Sequence, residues 1–538
     1  MEFNAYRYSY PSRRNVVFAS RGMACSSSPV ASNVGIEIMK RGGNAIDAAI
    51  AMAGVYPLVE PTSNGLGSDC FVLVWTNGKL YGLDGSGYSP KAMNADVIHS
   101  RGYQSVPFDG WLPVMVPGAV ASWAELRRRF GTLPLEELLS PAIKYAEDGY
   151  PVPVTASQLW QKDVERFRKA FEKEPEVFRP FFDYFTKNGR AYSAGELFRI
   201  PDMARTLEEL AATDCESFYR GEIARRIVEF SERTGGYLTF EDLSQYHPKW
   251  VEPITINYRG YDVYEMPPNG HGITALMALK ILSGMDIGRN RECADVYHRT
   301  IEALKLAFVD AKKFVADPRF MKTKVEDMLS ERYAATRRAL ITDTALMPEA
   351  GDPSCGGTVY FCTADNRGNM VSFIQSNYRG FGSGVVVPGT GISLQDRGAN
   401  FSMDPGSDNY ISGAKKSYHT IIPGFICKDG KPIGPFGVMG GFMQPQGHVQ
   451  VVTNIVDFGM NPQEALDAPR WQWTGEKKIQ LEREVPEHIA KELQLRGHQI
   501  EITNTNIGMG RGEIIFRMDN GVLAGGTEPR TDGTIAIW

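Results

Sequence analysis

The sequence predicts a layered α/β protein. Three observations carry the prediction: residues 118–345 are mostly of helical pattern, short β-type segments dominate from 358 onward, and the two do not alternate as βαβ units require. In chain order, 30–41 and 44–56 read as two helices split by Gly42-Gly43, a C-cap signal. The apolar run 45–59 carries Asp47 and Pro57 and is too short for a bilayer, so it reads as a buried helix. Segments 70–75 and 80–83 flank Asn77-Gly78, a strong hairpin signal. Within the helical region Tyr297, Ile301, Leu304, Phe308 and Ala311 keep one apolar face, while 255–264 is extended. Residues 343–357 hold two prolines, three glycines and three acidic residues and read as an exposed loop. Strands are expected at 359–364, 370–376, 384–387, 420–427 and 513–516, and helices at 462–467 and 486–496.

Composition excludes several function classes. The 538 residues are 43% hydrophobic and 22% charged, with 58 Lys plus Arg against 63 Asp plus Glu. A chain this apolar with a net charge of −5 is folded rather than disordered. It has no cation excess with which to displace counterions from nucleic acid. Seven scattered cysteines without a C-x-x-C pair argue against a disulfide framework, a zinc ribbon or a redox dithiol. Their odd number, with no apolar run behind the N-terminus to act as a secretory signal, predicts reduced thiols in a cytoplasmic protein. The eight histidines show no ligand spacing, so neither a metal nor a cofactor is expected. No phosphate loop, H-E-x-x-H or G-x-S-x-G occurs, and Gly508-Met509-Gly510-Arg511-Gly512 reads as a turn.

What remains is Gly356-Gly357-Thr358, where the loop meets the first strand, followed by the turn Asp365-Asn366-Arg367-Gly368-Asn369 and a returning strand. This suits a chain that cuts itself before a hydroxyl residue, so that the freed α-amine becomes the base for that hydroxyl. An α-amine titrates near 7.7–8.0, so about one in six is neutral at pH 7, against fewer than about one lysine in a thousand. The new terminus is therefore a usable base without tuning. Glycine at 357 leaves its carbonyl open to attack. By itself the pattern fits a plain turn before an edge strand better, and Ser354 and Cys355 are rival nucleophiles in the same loop.

Several segments together change that balance. Arg41-Gly42-Gly43-Asn44-Ala45-Ile46-Asp47, Asn64-Gly65-Leu66-Gly67-Ser68, Val116-Pro117-Gly118 and the stretch from Ser140-Pro141 to Asp148-Gly149 stand before the loop. Gly357-Thr358, Phe381-Gly382-Ser383-Gly384, Gly389-Thr390-Gly391, Asn400-Phe401-Ser402, Met439-Gly440-Gly441, Ala468-Pro469-Arg470 and Glu528-Pro529-Arg530 follow it. In this order, over nearly the whole chain, they resemble the gamma-glutamyltransferase (gamma-glutamyl transpeptidase) family of N-terminal nucleophile hydrolases. The resemblance implies one four-layer αββα sandwich. It also implies a precursor that cleaves itself into interwoven subunits, 1–357 and 358–538, and leaves further oligomerisation open. It assigns Thr358 as autoprocessing residue and nucleophile, Ser376 as its supporting hydroxyl, and the Gly440 and Gly441 N–H groups as the oxyanion hole. The implied partner is a small amide, with neither nucleic acid nor membrane. The implied reaction is hydrolysis or transfer of γ-glutamyl groups, as from glutathione, through a threonine ester; the alternative is a glutaryl-amide or cephalosporin acylase.

The substrate-binding positions depart from the family pattern. The family holds the substrate α-carboxylate with an arginine in Asp-Phe-Arg-Glu, but the matching stretch here is Asp84-Gly85-Ser86-Gly87 and places Ser86 there. His419-Thr420 replaces two serines, and Asn400 replaces the acid that binds the α-amine. Arg397 either clamps the substrate carboxylate from another side or forms an ion pair at the surface or between subunits. His419 is either structural or substrate-facing.

Overall fold

The structure, a computed structural model, describes residues 4, 9–10, 14–348, 357–505 and 507–538. Two seven-stranded sheets organise it. The first runs Thr534–Ile537, Gly22–Ser26, Gly357–Asp365, Met370–Tyr378, Asp69–Thr76, Lys79–Gly85, Lys249–Val251. The second runs Val17–Ala19, Leu523–Thr527, Arg511–Arg517, Lys431–Met439, Gly424–Lys428, Tyr261–Glu265, Ile254–Tyr258. Every pairing in both is antiparallel. Each sheet mixes strands from before and after residue 357, so a cut there would leave two pieces joined by the ladders of both.

Three apolar cores separate four layers. Odd positions of Gly357–Asp365, such as Val359 and Phe361, pack with Val371 and Phe373 against the helix Ala45–Val59. Even positions, Tyr360, Cys362 and Ala364, turn the other way and meet Phe425, Cys427, Met439 and Ile515 of the second sheet. The outer face of that sheet packs on Gly272–Ser283, Ala294–Phe314 and Met443–Val456. Alternate residues of a strand face opposite sides, so a strand covered on both sides reads as an unbroken apolar run rather than an alternating one. The result is an αββα sandwich.

The first helices and hairpin stand within a few residues of their expected bounds, at Pro29–Lys40, Ala45–Val59, Asp69–Thr76 and Lys79–Gly85. The Asn44-to-Asp47 segment explains one boundary. The Asn44 side chain accepts from Ile46 and Asp47 N–H, and Asp47 accepts from Asn44 N–H, a reciprocal cap that satisfies orphan donors. Ala45 N–H then donates to Asp365 Oδ2 at 2.9 Å, and Thr363 Oγ1 donates to Ala45 O at 2.7 Å, pinning the helix to Gly357–Asp365. All fifteen residues of Ala45–Val59 are buried, and no helix among the described residues is long and apolar enough to cross a membrane.

Other elements were hidden from sequence. Lys431–Met439 contains two prolines and two glycines, a composition that argues against a strand, yet it is central in its sheet. Gly437 has a reason: a Cβ there would stand 2.4 Å from the Tyr360 ring, so only glycine lets the two sheets approach. The helix Met443–Val456 was likewise masked by Pro445, Gly447 and β-branched residues. The expected strand 420–427 begins only at Gly424, and 384–387 shrinks to Val386–Val387.

Candidate active site

Thr358 stands at the head of Gly357–Asp365, where a register shift between Gly357 and Val359 interrupts the ladder. It is buried, and its Oγ1 lies 3.0 Å from Ser376 Oγ on the neighbouring strand. Ser376 Oγ also accepts the Tyr378 N–H at 2.8 Å. Ser354 and Cys355 lie outside the described residues.

Gly440 and Gly441 form the turn between Lys431–Met439 and Met443–Val456, with φ of +136° and +58°, values that favour glycine. Their carbonyls accept the Met443 and Gln444 N–H groups at 3.0 and 3.2 Å. In a trans peptide the N–H opposes the preceding C=O, so the Gly441 N–H points away from the helix. The packing of the sheets gives the turn its place. A Cβ on Gly434 would meet the side chain of Met370, and Met370 pairs with Ala364; one on Gly437 would meet Tyr360. Continuing three residues to Gly440 carries the turn toward the Thr358 end.

Arg397 begins a short 3-10 turn, Arg397–Asn400, and is completely buried. Its Nη1 donates to Thr420 Oγ1 at 2.6 Å, and its guanidinium lies 4.8 Å from the Tyr378 ring centre. Its Nε and Nη2 have no hydrogen-bond partner among the described residues, nor does the guanidinium make an ion pair within 4 Å there. The alternative reading of Arg397, an ion pair at the surface or between subunits, finds no partner among the described residues. Burial pulls Arg397 down to about 10, partly offset by Asp69, Tyr378 and Asp396. Burial also pushes both Asp69 and Asp396 up to about 7. Asn400 sits three residues on, on the same side of a 3-10 turn, and its Nδ2 is also unpartnered.

The other predicted residues form the frame. His419 Nε2 lies 3.0 Å from Asp69 Oδ2, and its Nδ1 accepts the Ile421 N–H at 3.4 Å, so both ring nitrogens are engaged within the protein. Burial, with Arg397 and Lys416 nearby, holds its pKa well below the usual value, and Nε2 of the neutral ring donates to Asp69. Ser86 Oγ donates to Asp84 Oδ1 at 2.6 Å, while Lys416 Nζ holds Asp84 Oδ2 at 2.5 Å.

Sequence reading missed Asp69 and Tyr378. Asp69 enters through strand register, opposite Ser376, and its only local signal is the preceding Gly67-Ser68. Tyr378 has φ of +81°, rare for a non-glycine residue. Asp396 fixes its neighbourhood: its N–H donates to Asn377 O, and its Oδ1 accepts the Arg379 N–H, at 3.1 Å each.

One cluster brings together histidines that have no ligand spacing in the sequence. His298, Glu302 and His498 place ligand-type atoms within 4.8 Å of one another, though the histidines are 200 residues apart in sequence. The donor set does not fit a metal. Lys305 Nζ already holds Glu302 Oε1 at 2.7 Å, so a divalent ion there would face a buried cation. The cluster instead ties down the segment before the loop: His298 Nε2 bonds Thr342 O, Lys305 Nζ bonds Leu346 O, and Glu302 Oε2 accepts Leu346 N–H.

Two antiparallel sheets between helical layers, with paired hydroxyls at the head of a central strand, define an αββα fold of the N-terminal nucleophile hydrolase type. More narrowly, the chain belongs to the gamma-glutamyltranspeptidase family, whose family model matches residues 31–538. It is 35% identical to the glutathione hydrolase-like YwrD proenzyme of Bacillus subtilis (strain 168), covering 96% of this chain and 98% of that one. It is 32% identical to the acylase ACY 1 proenzyme of Pseudomonas sp. (strain V22), covering 96% and 93%. Among solved structures, cephalosporin acylase from Bacillus halodurans superposes with a TM-score of 0.95 at 54% identity, covering 100% and 99% of the two chains.

Proposed function

We propose that the protein is a self-processing amidohydrolase and acyltransferase that takes γ-glutamyl groups from small amides. The observation that carries this reading is the Thr358–Ser376 hydroxyl pair, 3.0 Å apart at the head of the strand. Cleavage of the 357–358 bond gives pieces 1–357 and 358–538 and frees the Thr358 amine. The amine takes the hydroxyl proton as Oγ1 attacks the substrate carbonyl. The Gly440 and Gly441 N–H groups then stabilise the oxyanion, each worth about 2.7–4 kcal/mol. The amine product leaves, and water or an acceptor amine releases the acyl group.

Arg397 and Asn400 supply the acyl-group contacts, because their free donors suit a terminal carboxylate. Ser86, His419 and Thr420 hold this pocket in shape through Asp84, Asp69 and Arg397. A second reading, a glutaryl-amide acylase, is favoured by Asn400, a neutral amide that lacks the charge an acid would offer to an α-ammonium. Relatives named both as glutathione hydrolases and as acylases support the common chemistry. Steady-state assays of γ-glutamyl anilide beside glutaryl anilide decide between them. A higher kcat/KM on the γ-glutamyl compound supports the first reading, and a strong glutaryl preference overturns it.

Two further results are expected. Ser376→Ala lowers kcat about tenfold, the scale of one lost hydroxyl hydrogen bond, whereas Ser376→Thr retains most of it; stopped-time anilide assays check both. With Asp69 and Asp396 near 7, the site around Arg397 is more positive at pH 6 than at pH 8. As the pH rises the two acids ionise and compete for the guanidinium, so KM for a carboxylate-ended substrate increases. Asp69→Asn flattens that rise; a KM independent of pH in the parent enzyme would refute this use of Arg397.

A further inference from the structure

Three segments with no role so far meet beneath the Gly440 turn. Arg511–Arg517 pairs with Lys431–Met439 so that Met439 lies opposite Arg511. One step further along the same register, Gly510 faces Gly440, and a Cβ on Gly440 would stand 3.2 Å from the Gly510 Cα. The Gly510 backbone is thus the floor on which the turn rests.

That floor is held by a buried guanidinium. Arg470 Nη1 donates to both the Met509 and Gly510 carbonyls at 2.9 Å. Its Nη2 meets Glu528 Oε2 at 2.7 Å, and the same oxygen accepts the Gly512 N–H at 2.7 Å. Glu528 Oε1 binds Arg530, whose guanidinium also grips both oxygens of Glu482 at 2.6 Å. Arg470, Glu528 and Glu482 are buried, and the Arg530 side chain is only 4% exposed. Such a network costs desolvation, and a group of apolar residues would fill the space at less cost. What apolar residues cannot do is fix two consecutive carbonyls and the Gly512 N–H in one geometry.

We infer that Arg470 is a positioning residue for the reaction: through Gly510 it sets where the Gly440 and Gly441 N–H groups point. This rests on the oxyanion role proposed above for that turn. Donor placement matters within fractions of an ångström, because the gain comes from dipoles already aimed at the developing charge.

Arg470→Lys keeps the charge but cannot span both carbonyls and Glu528. Gly510→Ala disturbs the same floor without touching a charge, since its Cβ would stand 2.7 Å from Val438 and 2.9 Å from the Met439 carbonyl. Both variants are compared with the parent enzyme after active-site titration, so that loss of folded or processed enzyme is removed from kcat. Each is expected to lose at least about tenfold in kcat, a fraction of the ~10²–10³ that follows removal of a whole donor, with KM within twofold. The second readout is inhibition by 4-boronobutyrate, which forms a tetrahedral adduct on the nucleophile, beside binding of glutarate, a dicarboxylate that occupies the acyl pocket without forming that adduct. Boronate affinity should fall in step with kcat while glutarate affinity stays unchanged. Unchanged kcat per titrated site, or equal weakening of boronate and glutarate, would overturn the inference. A parent enzyme that lacks Thr358-dependent activity would instead remove the underlying reading.

Discussion

Thr358→Ala is expected to remain a single 59.7 kDa chain without detectable amidase activity. One side chain accounts for both losses. In the proposed mechanism its hydroxyl attacks the Gly357 carbonyl during processing, and the same hydroxyl carries the acyl group in turnover. Removing a covalent nucleophile of this kind costs on the order of 10⁶-fold in kcat. The fold should survive, because Thr358 stands on a strand fixed by its ladders to Met370–Tyr378 and Gly22–Ser26. Unchanged circular dichroism and melting temperature beside zero activity would separate the chemical role from a packing role. Thr358→Ser should process and turn over more slowly than the parent, since a hydroxyl remains but loses the methyl group that limits its rotamers.

Arg397→Ala is expected to raise KM for carboxylate-ended substrates by roughly a hundred- to five-thousandfold while self-cleavage proceeds normally. The scale follows from stranding one member of a buried charge pair, about 3–5 kcal/mol. In the proposed mechanism processing acts on the Gly357–Thr358 bond and needs no carboxylate clamp, so it serves as the internal control. Arg397→Lys should fall between, because an ammonium keeps the charge but not the fork that meets both carboxylate oxygens. Steady-state kinetics on the two anilides, with fragment ratios from denaturing gels, measure both effects. An unchanged KM would assign Arg397 to packing on Tyr378 and Thr420 alone.

The parts of the fold that were legible in the sequence are those with local causes. Asn44 and Asp47 cap their own helix, and Asn77-Gly78 turns its own hairpin. The central strand Lys431–Met439 was not legible, because its Gly437 answers to Tyr360 and its Gly434 to Ile515 and Met370, all distant in sequence. At the site the contrast is the same. Thr358, Ser376, Gly440 and Gly441 stood out as motif positions, and the structure sets the two hydroxyls side by side. Asp69 did not stand out, since it reaches His419 across 350 positions of sequence. Nor could the chain show that Arg470 and Glu528, each in its own short motif, are partners under a third.

The central claim is that a main-chain nitrogen, freed by the protein's own cleavage, is the base of the reaction. Intact-mass analysis and N-terminal sequencing of the active, purified enzyme test it most directly. The account predicts a small fragment covering 358–538 that opens Thr358-Val359-Tyr360. Full activity in a chain whose 357–358 bond is intact, or a fragment that opens at Cys355, would contradict it.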